Sequence, residues 1–127
     1  MSTNSGIALR QGDTYTTIYC HWDGYPKSML PMLRNNYNSF ELANKLVSMG
    51  DASSIEKKLE PDPSEPHTFM YPQEDVCVFY HRDRGDDWLH CQPACYTKSE
   101  LFKQSSFEFV YVFEDGTWNC YKNGRKI

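Results

Sequence analysis

The side chains with the clearest potential for chemistry lie in one short segment, residues 19–26, which reads Tyr-Cys-His-Trp-Asp-Gly-Tyr-Pro. Its candidate ligand-binding residues are His21, Trp22, Asp23 and Tyr25. The imidazole and the carboxylate could accept or donate protons, and the two aromatic rings could stack on a base or another ring. In a purely structural alternative, the aromatic rings belong to the core, Asp-Gly forms a turn, and the imidazole satisfies a neighbouring polar group.

A second candidate segment, residues 81–87, reads His-Arg-Asp-Arg-Gly-Asp-Asp. Its candidate ligand-binding residues are His81, Arg82 and Arg84, because a guanidinium group presents several donors that match a phosphate or a carboxylate in a bidentate geometry. The acidic residues of the same segment would compete for both arginines. The alternative interpretation is therefore a solvated turn whose charges pair with one another.

Neither a cysteine nucleophile nor a zinc site is well supported by the sequence. Adjacent residues of a strand point to opposite faces, so His21 is poorly placed to activate Cys20. Cys91 and Cys95 with His90 form one loosely spaced set, whereas structural zinc sites usually show two tight ligand pairs. Phosphate-loop, dinucleotide-binding and zinc-protease motifs are absent from the sequence. We therefore expect no metal and no cofactor.

Hydrophobic periodicity and turn signals predict the elements that must position these side chains. Alternating residues predict strands at 7–10, 14–21, 76–81, 107–114 and 117–122. Helical periodicity and capping signals predict helices at 29–37, 38–50 and 97–103, a single helical turn at 53–59, and a proline-rich surface connection at 60–75. The order ββ-αα-β-α-ββ predicts an α+β fold with a largely antiparallel sheet of about five strands and helices packed on one face.

Four aromatic residues alternate along the first strand of the terminal hairpin. They are Phe107, Phe109, Tyr111 and Phe113. We expect this face to pack on the core, with Asp115-Gly116 forming a type I′ turn. The opposite face carries Val110 and Val112 among acidic residues, and such a strand could add its edge to a second copy to give a homodimer.

Length and charge limit the class of protein. A chain of 127 residues fits one domain, residues 1–127. The net charge of −4 argues against binding to a nucleic-acid backbone, which needs a basic patch. Five cysteines without regular spacing, and an N-terminus without a signal-peptide pattern, indicate reduced thiols in a cytoplasmic setting. No apolar stretch is long enough to span a bilayer, so we expect no membrane partner.

Several motifs occur in an order that is typical of a known group of proteins. They are Ile18 to Pro26, Met32-Leu33, Tyr37, Leu46, Gly50-Asp51, Ser53-Ser54, Tyr80 to Gly85 and Trp88. In these motifs, which cover roughly the first two-thirds of the chain, the sequence resembles a family of small uncharacterised proteins of tailed bacteriophages and prophages. The family usually has a glycine-containing turn after Tyr-Pro, whereas this chain has Lys-Ser-Met-Leu-Pro at 27–31. A role for backbone amides at that turn is therefore not carried over by the resemblance.

The resemblance implies a phage-type protein of the host cytoplasm, for which counter-defence is a natural role. Together with the stacking rings and the arginine donors, it leads to the hypothesis of a stoichiometric binding protein rather than an enzyme. The partner would be a host protein or a small anionic, nucleotide-like ligand, bound at the two candidate segments. One alternative is a small hydrolase or transferase that uses His21 with Asp23, or His81 with Asp83, as acid and base. Another is a structural or interaction protein without a small-molecule site.

Overall fold

The computed structural model describes residues 3–104 and 106–127. Helices and a mixed β-sheet build the fold, which confirms the α+β class. The strands are β1 Ser5–Gln11, β2 Thr14–Cys20, β3 Ala52–Ser54, β4 Val78–Phe79, β5 Ala94–Tyr96, β6 Phe109–Glu114, β7 Thr117–Lys122 and β8 Arg125–Lys126. The helices are α1 Pro26–Asn36, α2 Phe40–Val47, α3 Tyr80–Arg84, α4 Trp88–Cys91 and α5 Lys98–Phe102.

The sheet joins the two ends of the chain. Its strand order is β4-β3-β2-β1-β6-β7-β8, and β5 pairs with the first half of β2. The central strand β1 runs antiparallel to β2 and parallel to β6, with Ile7 opposite both Ile18 and Tyr111. Most pairings between these strands are antiparallel, and the two parallel strand pairs are β1 with β6 and β2 with β3.

Helices α1 and α2 cover one face of the sheet and enclose the larger core. Trp118 is fully buried in this core, and its indole N–H donates to the carbonyl of Tyr37, 2.8 Å away, just after α1. Helix α2 begins where the Ser39 hydroxyl accepts from Leu42 N–H, so Ser39 and not its neighbour is the cap. The apolar stripe of α2, which includes Leu46, then lies on the sheet.

The opposite face of the sheet carries a second, smaller core. It contains Tyr15, Val110 and Val112, packed against Leu101 of α5. Helices therefore lie on both faces, and the prediction of helices on one face is wrong. The reason is that β1, β2 and β6 are apolar on both faces, so each face needs a cover.

The predicted element order, with about five strands, differs from the structure, which has eight strands among the described residues. The segment predicted as a helical turn, residues 53–59, begins instead as part of β3, because Ala52 pairs with both Cys20 and Phe79. The strand predicted at 76–81 is shorter in the structure, where it comprises only the two residues of β4. Its chain turns into α3 at Tyr80, and Gly85, at φ 80°, ends that helix.

Strand β6 has no exposed edge. It lies between β1 and β7, and Val110 and Val112 are buried against the second core. The prediction that this strand could add a free edge to a second copy is therefore wrong. The turn prediction is confirmed, because Asp115 and Gly116 both have the positive φ of a type I′ turn.

No helix within residues 3–104 and 106–127 is long and apolar enough to cross a bilayer.

Candidate functional site

Trp22 and Tyr25 lie on an exposed turn between β2 and α1. The side chain of Trp22 is 46% exposed and that of Tyr25 is 43% exposed. They therefore do not belong to the core, contrary to the structural alternative. Asp23 between them is exposed and has a φ of 56°, a left-handed conformation that aspartate tolerates better than most residues.

Hydrogen bonds fix the backbone of this aromatic turn, residues 22–25. Trp22 N–H donates to the Ser53 carbonyl at 3.0 Å, which continues the pairing of β2 with β3. Gly24 N–H donates to the Thr3 carbonyl at 2.8 Å. The buried Tyr111 hydroxyl donates to the Gly24 carbonyl at 2.6 Å. The two exposed rings thus project from a backbone that the core holds in place.

His21 and Cys20 point to opposite faces of the sheet, as predicted. The Cys20 side chain is buried in the larger core, and burial raises the pKa of its thiol to about 12. A thiol of this kind stays protonated at neutral pH and cannot act as a nucleophile. On the other face, His21 Nδ1 and the Tyr19 hydroxyl are 2.6 Å apart and hydrogen-bonded, and the His21 ring meets Trp22 edge-on.

Arg82 is turned towards the protein. Its Nε donates to Asp83 Oδ1 at 2.8 Å, and its two terminal nitrogens donate to the carbonyls of Leu59 and Cys77, both at 2.8 Å. These bonds leave the guanidinium group little capacity for an external anion. Arg82 therefore ties α3 to the long connection rather than presenting a binding group.

His67 belongs to the same cluster and was missed by the sequence analysis. Its side chain is only 3% exposed, and its Nε2 lies 3.0 Å from the Cys77 carbonyl and 3.4 Å from Asp83 Oδ2. Its Nδ1 accepts from Gln73 N–H at 2.9 Å, which leaves the Nε2 proton to donate. His67 thus links Gln73 of the proline-rich connection to Cys77 just after it. The only sequence signal for this role was a single histidine among the prolines of residues 60–75.

Arg84 is 46% exposed and packs on two aromatic rings. Its guanidinium carbon lies 4.4 Å from the centre of the Tyr80 ring and 4.9 Å from that of Phe69. Asp86 accepts from it in a bidentate pair at 2.8 and 2.7 Å, and this hydrogen bonding lowers the pKa of Asp86. That carboxylate occupies the Nε–Nη2 edge of the guanidinium group and partly neutralises the charge that an anionic ligand would need.

His81 is exposed at the start of the charged segment. Its Nδ1 lies 2.8 Å from the Asp86 carbonyl, and its ring meets Trp88 edge-on. Asp83 contacts Arg82 and His67 and not His81, and the Nδ1 of His21 is bonded to a tyrosine. Neither of the two predicted acid-base pairs is therefore joined by a hydrogen bond among the described residues.

Asp51, which the sequence analysis missed, links the two candidate segments. Its Oδ1 accepts from Tyr19 N–H at 2.9 Å, and its carbonyl accepts from Tyr80 N–H at 3.2 Å. Its own N–H donates to the Cys91 carbonyl at 2.8 Å. The end of β2 and the start of α3 are therefore held side by side, although 60 residues of sequence separate them. Its only sequence signal was the Gly-Asp pair after α2.

Replacing Asp51 by asparagine is expected to stabilise the fold at neutral pH. Burial raises the pKa of Asp51, and the hydrogen bond from Tyr19 N–H offsets this only in part. When the pKa of an acid is higher in the folded protein than in the unfolded chain, the protein loses stability as pH rises from the unfolded pKa through the folded pKa. Asparagine keeps the oxygen acceptor without the charge.

Urea unfolding across pH measures this effect. The Asp51→Asn variant should exceed the wild type in stability at pH 7 by a margin that decreases as pH falls to about 3, which is below the unfolded-state pKa of about 3.9, because aspartate is then mostly protonated in both states. A difference that does not vary with pH would contradict the burial of a charged carboxylate.

None of the seven predicted ligand-binding residues lines any of three cavities formed by the described residues. One of about 310 Å³ lies between α5 and the terminal hairpin, and one of about 550 Å³ lies along α2. A third, of about 350 Å³, is lined by residues of β3, β4 and the proline-rich connection. No three His, Cys, Asp or Glu side chains among the described residues form a metal-binding group.

Comparisons with known proteins give no relative from which to transfer a role. No protein-family model, no curated protein and no solved structure matches the chain. The geometry of the two segments must therefore carry the functional argument. The two segments differ: the aromatic turn exposes two rings on a fixed backbone, whereas the arginine segment pairs most of its charges internally.

Proposed function

We propose that the protein acts by stoichiometric binding of another protein, with the aromatic turn at the centre of the contact. The observation that carries this proposal is the exposure of Trp22 and Tyr25 on a backbone that is fixed by hydrogen bonds to β3, the N-terminal segment and the core. Tryptophan and tyrosine are enriched among the residues that dominate binding energy at protein interfaces. A rigid turn also loses little conformational entropy on binding.

The pairing of the two arginines supports a protein partner over a small anion. Arg82 donates to Asp83 and two backbone carbonyls, and Arg84 forms a bidentate pair with Asp86. A nucleotide-like ligand would compete with the carboxylate of one of these ion pairs for the positive charge of the arginine. Exposed aromatic rings involve no such competition.

The resemblance to small phage proteins supports a host protein as the partner and the host cytoplasm as the place of binding. A counter-defence protein of this kind would occupy a surface of a host defence component and block it. Binding alone would suffice for that role, which agrees with the buried, protonated Cys20 thiol and the separated acid-base pairs.

The test compares the double variant Trp22→Ala/Tyr25→Ala with a control, Phe40→Ala/Tyr71→Ala, that removes two other exposed rings, 51% and 79% exposed. Equal amounts of each immobilised protein are exposed to a bacterial lysate, and retained proteins are quantified by mass spectrometry. We expect a protein retained by the wild type and by the control, and reduced at least about tenfold by the turn variant, because interface aromatics contribute about 2 kcal/mol or more each. Equal retention by all three proteins would contradict the proposal.

The small-ligand alternative rests on Arg84, which lies over two rings and is accessible from solvent. A screen of nucleotides and cyclic nucleotides by thermal shift tests it, because a ligand that binds the folded state raises the melting temperature. A shift that the Arg84→Ala variant abolishes and the Trp22→Ala/Tyr25→Ala variant retains would favour this alternative over protein binding.

A further inference from the structure

Two adjacent side chains project from the proline-rich connection. Met70 is 73% exposed and Tyr71 is 79% exposed, the two largest values among the large hydrophobic side chains of the described residues. Thr68 N–H donates to the Tyr71 carbonyl at 3.3 Å, and Tyr71 N–H donates to the Thr68 hydroxyl at 3.0 Å, so residues 68–71 form a closed turn. Methionine and tyrosine are both enriched at the centres of protein interfaces. We call Met70 and Tyr71 the apolar tip.

The turn below the apolar tip is anchored on both sides. Phe69 N–H donates to the Asp83 carbonyl at 2.9 Å, and the Phe69 ring packs on Arg84, whose guanidinium carbon lies 4.9 Å from the ring centre. After the tip, the Gln73 side chain donates to the Asp62 carbonyl at 2.9 Å and accepts from Asp62 N–H at 2.8 Å. The tip is therefore held away from the core, and only another molecule can cover it.

An apolar groove lies along α2, where the same connection begins. The cavity of about 550 Å³ has Leu42, Met49 and Leu59 as its apolar lining, and Lys45 and Glu60 are among the polar residues at its rim. Cavities of about 300–1,000 Å³ enclose ligands larger than two side chains. The groove, which we call the α2 groove, therefore has room for the methionine and the tyrosine of an apolar tip.

Helix α3 fixes the apolar tip and the α2 groove relative to each other. Arg82 donates to the carbonyl of Leu59, in the wall of the groove, at 2.8 Å. The carbonyl of the next residue, Asp83, accepts from Phe69 N–H below the tip. A projection and a cavity held in one rigid unit allow two copies to make the same contact twice around a two-fold axis.

The charges beside the two elements have opposite signs. Lys45 lines the groove, Lys57 and Lys58 directly precede Leu59, and all three lysines are exposed. The connection that carries the tip, residues 60–75, contains five acidic residues and no lysine or arginine. Opposite charges around an apolar contact favour association and fix its orientation. A tip that enters the groove of a second copy brings its acidic connection towards these lysines.

We propose that the protein forms a two-fold symmetric homodimer in which the apolar tip of each copy occupies the α2 groove of the other. The contact removes two exposed apolar side chains and an apolar groove from water in each copy. It goes beyond the proposed function, because neither Trp22 nor Tyr25 belongs to the tip or lines the groove. Self-association and partner binding at the aromatic turn can therefore fail independently of each other.

Sedimentation equilibrium of the full chain between about 1 μM and 1 mM measures self-association. The tip variant is Met70→Ala/Tyr71→Ala, and its control is Leu89→Ala, which shortens a side chain that is 70% exposed outside the tip. The groove variant is Leu42→Glu, which places a charge in the apolar lining. Its control is Phe40→Glu, because Phe40 is 51% exposed in the same turn of α2 and does not line the groove. A carboxylate in the first turn favours a helix, so both glutamates should leave α2 folded, which urea unfolding checks.

We expect the wild type to dimerise in this range, the tip variant and the groove variant each to weaken self-association at least about tenfold, and the controls to change it less than about twofold. A wild type that stays monomeric at about 1 mM, or equal losses in variants and controls, would overturn the inference. Assemblies larger than a dimer would overturn the two-fold arrangement.

A mixture of the two variants tests whether the tip meets the groove. The tip variant keeps an intact groove and the groove variant keeps an intact tip, so a mixed pair contains one complete contact, whereas each variant alone contains none. Fluorescently labelled tip variant is therefore titrated with unlabelled groove variant and followed by sedimentation with fluorescence detection. We expect the mixed pair to associate more tightly than either variant with itself. No gain on mixing would show that the tip does not occupy the groove.

Discussion

Replacing Asp83 by alanine is expected to lower the free energy of unfolding by about 3–5 kcal/mol, the usual cost of removing one partner of a buried ion pair. The side chain of Asp83 is 3% exposed and accepts from Arg82 Nε and from Phe79 N–H, each at 2.8 Å. Alanine would leave the guanidinium group without its counter-charge and the amide without an acceptor. Both groups are only partly accessible to water, so solvent would compensate incompletely.

The structural effect should extend beyond the ion pair. Arg82 also binds the carbonyls of Leu59 and Cys77, and Asp83 contacts His67. Loss of the carboxylate is therefore expected to loosen the closure of the proline-rich connection, with faster amide hydrogen exchange at residues 60–75 as the signature.

Urea unfolding followed by tryptophan fluorescence measures the stability change. Asp86→Ala is the matched control, because it removes an equally charged residue from an arginine pair in the same segment that is open to solvent. Its effect should be much smaller, since exposed ion pairs contribute little. Equal losses in the two variants, or a loss below about 1 kcal/mol for Asp83→Ala, would show that the cluster is not the anchor described above.

Gly50→Ala is the second variant with a large expected effect, a loss of about 3 kcal/mol or more. Gly50 has a φ of +84°, and a Cβ added there would lie less than 3.0 Å from the Cys91 carbonyl oxygen and 3.0 Å from the Trp88 ring. The left-handed backbone alone costs a residue with a Cβ roughly 1–2 kcal/mol, and the steric overlap adds about 1–3 kcal/mol. The overlap involves backbone, which cannot rotate away as a side-chain end would.

Gly85→Ala separates these two contributions. Gly85 also follows a helix and has a φ of +80°, but a Cβ there would meet nothing within 4 Å. Its loss should therefore reflect the backbone conformation alone, at about 1–2 kcal/mol. If thermal or urea unfolding gave the same loss for both variants, the close approach of Gly50 to α4 would be without energetic consequence.

The Gly50 substitution should also reach the candidate site, because the next residue is Asp51. That residue receives hydrogen bonds from Tyr19 and Tyr80 and donates one to Cys91. A backbone shift at Gly50 would thus move the end of β2 relative to α3. We expect partner binding at the aromatic turn to weaken in parallel with stability.

The sequence determined the features whose signals lie within a few residues of one another. The β1–β2 hairpin, the Asp115-Gly116 turn, the capping box at Thr97 and Glu100, and the apolar stripe of α2 all follow from spacing and turn chemistry. The opposite orientations of Cys20 and His21 follow from the period of a strand. The exposure of Trp22 and Tyr25 was one of two alternatives that composition could not separate.

Only the tertiary structure decided which polar groups are available to bind a ligand or a partner. The sequence predicted Arg82 and Arg84 as donors to a ligand. In the structure Arg82 donates instead to the carbonyls of Leu59 and Cys77. No local sequence pattern places these carbonyls near it. The parallel pairing of β1 with β6, the closure of residues 60–75 by His67, and the link through Asp51 likewise join distant parts of the chain. Such contacts depend on which buried groups meet when the sheet assembles, and hydrophobic periodicity carries no information about partners so far apart in sequence.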